Sequence, residues 1–263
     1  MWSFSVDRTK CVHCGRCVAE CSRLCLMMTR EGPEPLPEAA NRCFHCQHCL
    51  CVCPTGAITV EGVSPQQCPP AAPIPDSAAM LNLIRARRSC RIYKEENLPK
   101  DTLHKLRAML PYSPTGVNAR TLKFIIVSEK HKMDEIRRYS AGKLLEQIAA
   151  RPEDPELAYF ARFKTPLSNG INPIFRNAPH MIAVALPEST PCLTMDPIIA
   201  LSYFELYAQT LGVGTLWCGM AYWLHRLMPE IMLNLGMPAD YKLGYVMLFG
   251  PPAWNFARGA VRH

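Results

Sequence analysis

A repeated run of cysteines near the N-terminus constrains the fold of this chain more than any other feature of its sequence. The spacing C-x2-C-x2-C-x3-C occurs twice, and each cysteine of the first run has a counterpart 32 residues later. The first run comprises Cys11, Cys14, Cys17 and Cys21, and the second comprises Cys43, Cys46, Cys49 and Cys53. An offset shared by four positions predicts two similar half-units that pack against each other.

The placement of the cysteines favours metal or cluster binding over disulfides. Ten of the 14 cysteines lie between Cys11 and Cys53. The first ten residues lack the basic-then-apolar pattern of a signal peptide, so we expect a cytoplasmic protein whose thiols stay reduced. Thiols at this density in a reducing compartment are typical of ligands.

The two runs resemble the cluster-binding loops of bacterial ferredoxins. In that pattern three thiolates on one tight loop hold three corners of an iron–sulfur cube, and the fourth cysteine ligates the other cluster. The resemblance therefore implies two [4Fe–4S] clusters. One ligand set is Cys11, Cys14, Cys17 and Cys53, and the other is Cys43, Cys46, Cys49 and Cys21.

Structural zinc is the alternative, because C-x2-C pairs also bind zinc. Zinc needs only four ligands, however, and would not require the third cysteine of each run at this spacing. The sequence departs from the ferredoxin pattern at Ser22, where proline is usual, and it carries extra cysteines at Cys25 and Cys51. We interpret both extra cysteines as ordinary buried thiols.

A proline-rich segment divides the chain. Five prolines fall between Gly62 and Pro75, which predicts a semi-rigid linker. We therefore predict a ferredoxin-like domain over residues 1–62, a linker over 63–75 and a second domain over 76–263. Helical and strand patterns alternate in the second domain, which indicates an α+β or α/β fold.

Within the second domain, apolar and turn residues predict individual elements. Strands are expected at residues 124–127, 181–186 and 245–249. Asp196 is expected to cap a helix that runs to Leu211 and stops at Gly212. Residues 150–177 form the least regular stretch, which we interpret as a mobile cover over a site.

Four segments of the second domain resemble motifs of the nitroreductase family and occur in the same order. Members of this family are dimeric FMN enzymes with an α+β fold. The resemblance covers about residues 78–263. The first segment, RRSCRIY at 87–93, is similar to the family's R-R-S-x-R-x-F, and guanidinium groups with a hydroxyl suit a phosphate. It implies FMN contacts from Arg87, Arg88, Ser89 and Arg91.

The other three segments imply the remaining flavin contacts. SPTGVN at 113–118 is similar to a loop, P-S/T-x-x-N, that reaches the flavin of the partner subunit. LGVGTLWCG at 211–219 is similar to the family's segment that approaches flavin N5, and FGPP at 249–252 to a turn followed by phosphate-binding basic residues. The residues concerned are Pro114, Thr115, Gly116, Asn118, Trp217, Cys218, Gly219, Arg258 and Arg262.

Together these resemblances imply an iron–sulfur flavoprotein oxidoreductase, a homodimer with FMN at the interface. Electrons would pass through the two clusters and FMN to a small organic acceptor, such as a nitroaromatic or an activated double bond. No catalytic side chain is expected, because the flavin carries the chemistry. The donor, NAD(P)H or a one-electron donor protein, is left open. The alternatives are an electron-transfer module of a larger redox complex and a flavin-consuming reaction.

Charge and hydropathy argue against two classes of partner. The formal net charge is +7, but residues 1–62 hold six basic and six acidic side chains, so the excess belongs to the remainder. No stripe of Lys and Arg is interleaved with aromatic residues, so we expect no nucleic-acid partner. No apolar run reaches about 18 residues, so we expect no membrane span.

Overall fold

The computed structural model describes residues 2–261, which divide into two compact units. The first unit contains the residues up to Pro75 together with Val117–Ala119. The second contains Asp76–Gly116 and the chain from Arg120 onward. Within residues 2–261, no helix combines the length and the apolar character that a membrane crossing requires.

The first unit consists of short elements around the cysteine loops. Strand β1 pairs with β4, and β2 with β3, both antiparallel. The elements are β1 (Phe4–Val6), α1 (Arg16–Ala19), β2 (Leu26–Thr29), β3 (Gly32–Pro35), α2 (Ala39–Arg42), α3 (His48–Cys51) and β4 (Ile58–Val60). Strand β4 follows the second cysteine run.

The 32-residue sequence repeat is also a repeat of backbone conformation. Helices α1 and α3 are related by this offset, and each begins after a residue in the left-handed region, Gly15 or Gln47. Two further pairs with positive φ share the offset: His13 with His45, and Leu24 with Gly56. The two cysteine runs therefore lie on loops of the same local shape.

The second unit is built on a four-stranded antiparallel sheet with the order β5-β6-β8-β7. Its elements are α4 (Ser77–Ala86), α5 (Lys100–Met109), β5 (Lys123–Val127), α6 (Lys130–Ala150), α7 (Pro155–Ala161), α8 (Lys164–Ser168), β6 (His180–Pro187), α9 (Met195–Thr210), β7 (Gly214–Trp217), α10 (Gly219–Leu227), α11 (Glu230–Asn234) and β8 (Tyr241–Gly250). The α+β class and the three predicted strands are confirmed.

Strand β6 separates two cores, because alternate side chains of a strand point to opposite faces of the sheet. Ile182 and Val184 pack in one core with Leu201 and Phe204 of α9. Met181, Ala183 and Ala185 belong to the other core, which contains buried side chains of α6 and α7. Strand β6 is therefore covered on both faces, which explains its continuous apolar sequence.

Two local predictions are wrong. The stretch 150–177 contains α7 and α8, and its side chains Leu157, Phe160 and Phe175 are buried in a core, so it is regular and packed where irregular structure was expected. Helix α9 begins at Met195 after Thr194, two residues earlier than a cap at Asp196 would place it. The Asp196 carboxylate instead accepts a hydrogen bond from the Gly116 amide, 3.0 Å away.

Candidate functional site

Four cysteines from both runs line one small cavity in the first unit. Cys11, Cys14 and Cys17 come from the first run and Cys53 from the second. Met28 and Ile58 contribute apolar walls. The fold thus brings together the four side chains of the first ligand set expected from the sequence, including the cysteine from the opposite run.

The four thiols of the other expected set are also neighbours. Burial, followed by the nearby thiols of Cys46, Cys43 and Cys21, raises the pKa of Cys49 to about 12. Such repulsion requires proximity, because the interaction of two charges falls with distance. Here too the fourth cysteine, Cys21, comes from the other run.

Backbone amides point at the fourth cysteine of each run. The Ala57 N–H donates to Cys53 Sγ over 3.2 Å, and the Cys25 N–H donates to Cys21 Sγ over 3.3 Å. These two bonds obey the same 32-residue offset. Burial opposes ionisation of Cys53, but hydrogen bonds from Ala57 and Thr55 outweigh it and lower its pKa. Amide donors of this kind stabilise a thiolate ligand.

Among residues 2–261, no three His, Cys, Asp or Glu side chains form a group that could hold a single metal ion. Cysteine ligands of such an ion lie about 2.3 Å from it, whereas the first set surrounds a cavity. Of the extra cysteines, Cys25 is buried as expected, but Cys51 is exposed, so its prediction as a buried thiol is wrong.

In the second unit, three of the four segments that resemble flavin-binding motifs are adjacent. The Cys90 N–H donates to the Thr215 carbonyl over 2.7 Å, which joins the first segment to β7. The Lys94 N–H donates to the Pro251 carbonyl over 2.9 Å, which joins it to the turn after β8. A Cβ on Gly214 would lie 2.7 Å from the Cys90 side chain, so this close approach requires glycine.

Glu205 of α9 organises this region, and its role was not predicted from the sequence. Its carboxylate accepts hydrogen bonds from Arg87 Nη1 at 3.0 Å, Thr215 Oγ1 at 3.1 Å and Trp217 Nε1 at 3.0 Å. Glu205 is only 7% exposed. The available signal was an acidic residue within an otherwise apolar helical pattern. Two residues expected at the flavin, Arg87 and Trp217, are therefore held by one buried carboxylate.

Arg88 has an N–H group that lacks an acceptor. Its Nη1 donates to the carbonyls of Arg85 and Arg87, but its Nη2 is buried without a partner among the described residues. Arg88 lines a cavity of about 140 Å³ together with Cys90, Trp254 and Phe256. A buried charged donor without an acceptor is costly, and an anionic oxygen in the cavity would remove that cost.

The other expected phosphate ligands occupy the edge of this region. Ser89 is half-buried, whereas Arg91 and Arg258 are exposed. A Cβ on Gly259, next to Arg258, would lie 3.5 Å from Arg88 Nη2, so the tail reaches the first segment. Arg262 lies outside the described residues.

The segment around Cys218 is tightly packed. Cys218 Sγ donates to the Ile174 carbonyl over 3.2 Å, and burial raises the pKa of this thiol to about 11. Gly219 starts α10, and a Cβ there would lie 3.3 Å from the Tyr245 hydroxyl. The Trp217 ring lies 5.4 Å from the Tyr245 ring. Trp217 and Gly219 thus border an aromatic surface, while Cys218 points into the core.

The 113–118 segment has a separate set of contacts. The Gly116 N–H bonds to Asp196, and a Cβ on Gly116 would lie 2.3 Å from Cys192 Sγ. Asn118, part of the first unit, donates to the Phe44 carbonyl over 2.8 Å. Pro114 is exposed, and the Thr115 hydroxyl accepts from the Arg120 N–H at 3.0 Å.

Comparisons with known proteins agree on the second unit. A model described as "Nitroreductase family" matches residues 84–250. The chain is similar to an FMN-bound nitroreductase from Bacteroides fragilis (22% identity, TM-score 0.56) and one from Desulfitobacterium hafniense (24%, 0.55); each alignment covers 70% of this chain and 94% of the other.

A third similar structure is the FMN-dependent nitroreductase NfnB from Mycobacterium smegmatis in complex with NADPH. It is 19% identical with a TM-score of 0.51, and the alignment covers 68% of this chain and 90% of that one. At these identities the likeness establishes a shared fold. No curated protein sequence matches the chain.

Proposed function

Because the chain belongs to the nitroreductase family, we propose that its second unit binds FMN and reduces a small organic acceptor. The observation that carries the proposal is the family match over most of this unit, together with the adjacency of three flavin-like segments. When bound, FMN would supply the redox chemistry itself. The side chains of this unit would bind and orient it.

The phosphate end of FMN is assigned to the region of Arg88. Its Nη2 is a buried donor without an acceptor, and Ser89, Arg91 and Arg258 extend the basic surface beside it. Arg87 contributes less free charge, because the Glu205 carboxylate accepts from it over 3.0 Å. Arg87 therefore acts mainly by holding the first segment in place.

The ring end of FMN is assigned to Trp217 and Gly219. Glu205 fixes the Trp217 indole, and the small Gly219 allows a planar ring to approach the backbone. Cys218 takes no part in the reaction under this assignment, since its thiol is buried and bonded to Ile174.

We propose that the chain forms a homodimer in which the 113–118 segment of one copy contacts the FMN of the other. Met195, Ile199, Tyr203 and Tyr207 recur every four residues along α9, and all four are exposed apolar or aromatic side chains. Side chains at this spacing form one stripe on a helix. A second copy would bury the stripe, and Pro114, Thr115, Gly116 and Asn118 would then serve the partner's flavin.

For the first unit we propose two [4Fe–4S] clusters on the two ligand sets given above. The cavity lined by four thiols, three from one run and one from the other, and the amides directed at Cys53 and Cys21 support thiolate ligands at these positions. When bound, such clusters would supply one-electron transfer. The acceptor class we favour is a nitroaromatic or an activated double bond, and the donor is either NAD(P)H or a one-electron donor protein.

Composition after anaerobic purification tests both assignments. We expect about eight iron, about eight sulfide and about one FMN per chain. Stoichiometric zinc with little sulfide would overturn the clusters, and absent flavin would overturn the FMN site. Turnover of a nitroaromatic panel, with dithionite or NAD(P)H as donor, then separates an enzyme from an electron-transfer module, which would be reduced without consuming the acceptor.

A further inference from the structure

A cavity of about 350 Å³ opens in the second unit between the end of α5 and the start of β5. Its volume is in the range of small-molecule sites. Leu110, Leu122 and Phe124 give it an apolar floor that continues into the core shared with α9. The flavin assignment uses none of these three residues.

The rim of the cavity is positively charged. Arg107 and Arg120 line it, and none of the residues that line it, all in the described part of the chain, is acidic. Arg120 Nη2 donates to the Pro111 carbonyl over 3.0 Å, which holds the guanidinium in place. Its other N–H groups have no acceptor within residues 2–261. The carbonyl end of α5 opposes an anion by about half a charge, which two guanidinium groups outweigh.

The cavity also contains an unused hydroxyl group. Ser113 Oγ is buried and has no hydrogen-bond partner among the described residues, although Ser113 lines the cavity. The Thr115 hydroxyl accepts from the Arg120 N–H, so its own hydrogen remains available. Both hydroxyl groups can therefore donate to an acceptor oxygen in the cavity.

From this combination we infer that the cavity binds a small organic acid: an oxyanion head between Arg107, Arg120 and Ser113, with an apolar body on Leu122 and Phe124. Two guanidinium forks and a hydroxyl match a carboxylate or a phosphate monoester. The apolar floor favours an organic body over an inorganic ion. The cavity shares Thr115 with the loop assigned to the partner's flavin, but the anion site itself requires neither FMN nor the clusters.

Titrations with benzoate, phenyl phosphate and the neutral analogue benzamide test the site. Binding of each compound to the full-length protein, as purified, is measured by saturation-transfer difference NMR. We expect one or both anions to bind and benzamide not to bind. The stronger anion identifies the head group. Arg107→Gln combined with Arg120→Gln should weaken anion binding more than about tenfold, and Ser113→Ala about tenfold.

Arg226→Gln is the matched control, since Arg226 is an exposed arginine that bonds to Glu156 elsewhere in the unit. It should bind both anions as the parent does. Equal binding of benzamide and benzoate, no binding of either anion at millimolar concentration, or unchanged affinity in the double variant would each overturn the site. FMN content is measured in parallel; loss of FMN from the double variant would assign the arginines to the flavin and would also overturn it.

Discussion

The two units of this molecule keep their shape by different means. In the second unit, two buried clusters of aliphatic and aromatic side chains cover both faces of the sheet, and β6 is buried along nearly its whole length. In the first unit, the described core consists of seven buried side chains, two of which are Cys17 and Cys25. Cysteines Cys21, Cys43 and Cys49 pack against this small core.

The difference shows what each unit requires in order to fold. A unit of about 75 residues with few buried hydrophobic groups lies in the size range where metals or disulfides commonly add stability. The free energy of cluster binding would then be part of its folding free energy. The second unit has enough buried apolar area to fold without such help. Replacing cysteines of the two runs should therefore destabilise the first unit and leave the second unit folded.

The largest expected effect comes from replacing a proposed cluster ligand. Cys14→Ser should remove one cluster, so iron and sulfide should fall by about half, from about eight to about four of each per chain. Limited proteolysis should then cut the first unit readily while the second unit stays resistant. Cys51→Ser is the control, because Cys51 lies on α3 but outside both ligand sets. Parental iron content in Cys14→Ser would contradict the assignment.

The second expected effect concerns electron flow. If the clusters deliver electrons to the flavin, rapid mixing of Cys14→Ser with a one-electron donor should show most of the flavin reduction rate lost. Direct reduction by NAD(P)H, where it occurs, should persist, because the second unit is unchanged. A variant flavin reduced as fast as in the parent would show that the clusters serve only to fold the first unit.

The third effect lies within the second unit and separates neighbouring arginines. Arg88→Ala or Arg91→Ala should weaken FMN binding by about 1.5–3 kcal/mol, the range for a hydrogen bond to a charged group. Arg87→Ala should chiefly lower the melting temperature, because it leaves the buried Glu205 carboxylate without its cation. Flavin titration and thermal unfolding measure the two effects. If all three variants bind FMN as tightly as the parent does, the phosphate site does not lie in this segment.

The fourth effect, seen only when the pH is changed, is a dependence of the second unit's stability on pH. His180 is fully buried, and burial lowers its pKa from 6.5 to about 4. The unfolded state therefore takes up a proton as pH falls below about 6.5, whereas the folded state resists protonation until about 4. Stability present above 6.5 should decline by up to about 3 kcal/mol as pH falls to 4.

Chemical denaturation at several pH values measures this loss. His180→Gln keeps an acceptor for the Leu98 N–H, which bonds to His180 Nε2 at 2.9 Å, and should flatten the pH dependence. The exposed His104→Gln is the control. An unchanged slope in His180→Gln would show that other groups cause the loss.

The sequence predicts the frame of the second unit well, because apolar residues at regular spacing report burial directly. Strands β5, β6 and β8 and helix α9 follow from such patterns. Helix α6 was not predicted, although Met133, Ile136 and Leu144 provide helical spacing. Irregular structure was expected where α7 and α8 form, because Pro155 was not recognised as a first-turn residue capped by Asp154.

Most contacts between residues distant in the chain could not be predicted from sequence patterns. The crossed grouping of cysteines is the exception, because a repeat with known spacing carries that information. The convergence of Arg87, Thr215 and Trp217 on Glu205 was not predicted, since an acidic residue in an apolar helical pattern can indicate burial but does not identify its partners. Asp196 was interpreted as a helix cap for the same reason, yet it bonds to Gly116, 80 residues away.

The Glu205 carboxylate has a consequence for how this chain can vary in evolution. Losing Arg87 alone leaves a buried negative charge without its partner, and losing Glu205 alone leaves a partly buried positive charge without its partner. Either intermediate is less fit than both the charged pair and a neutral pair. The two positions, 118 residues apart, should therefore change together among related chains, and a lineage that loses one charge should soon lose the other.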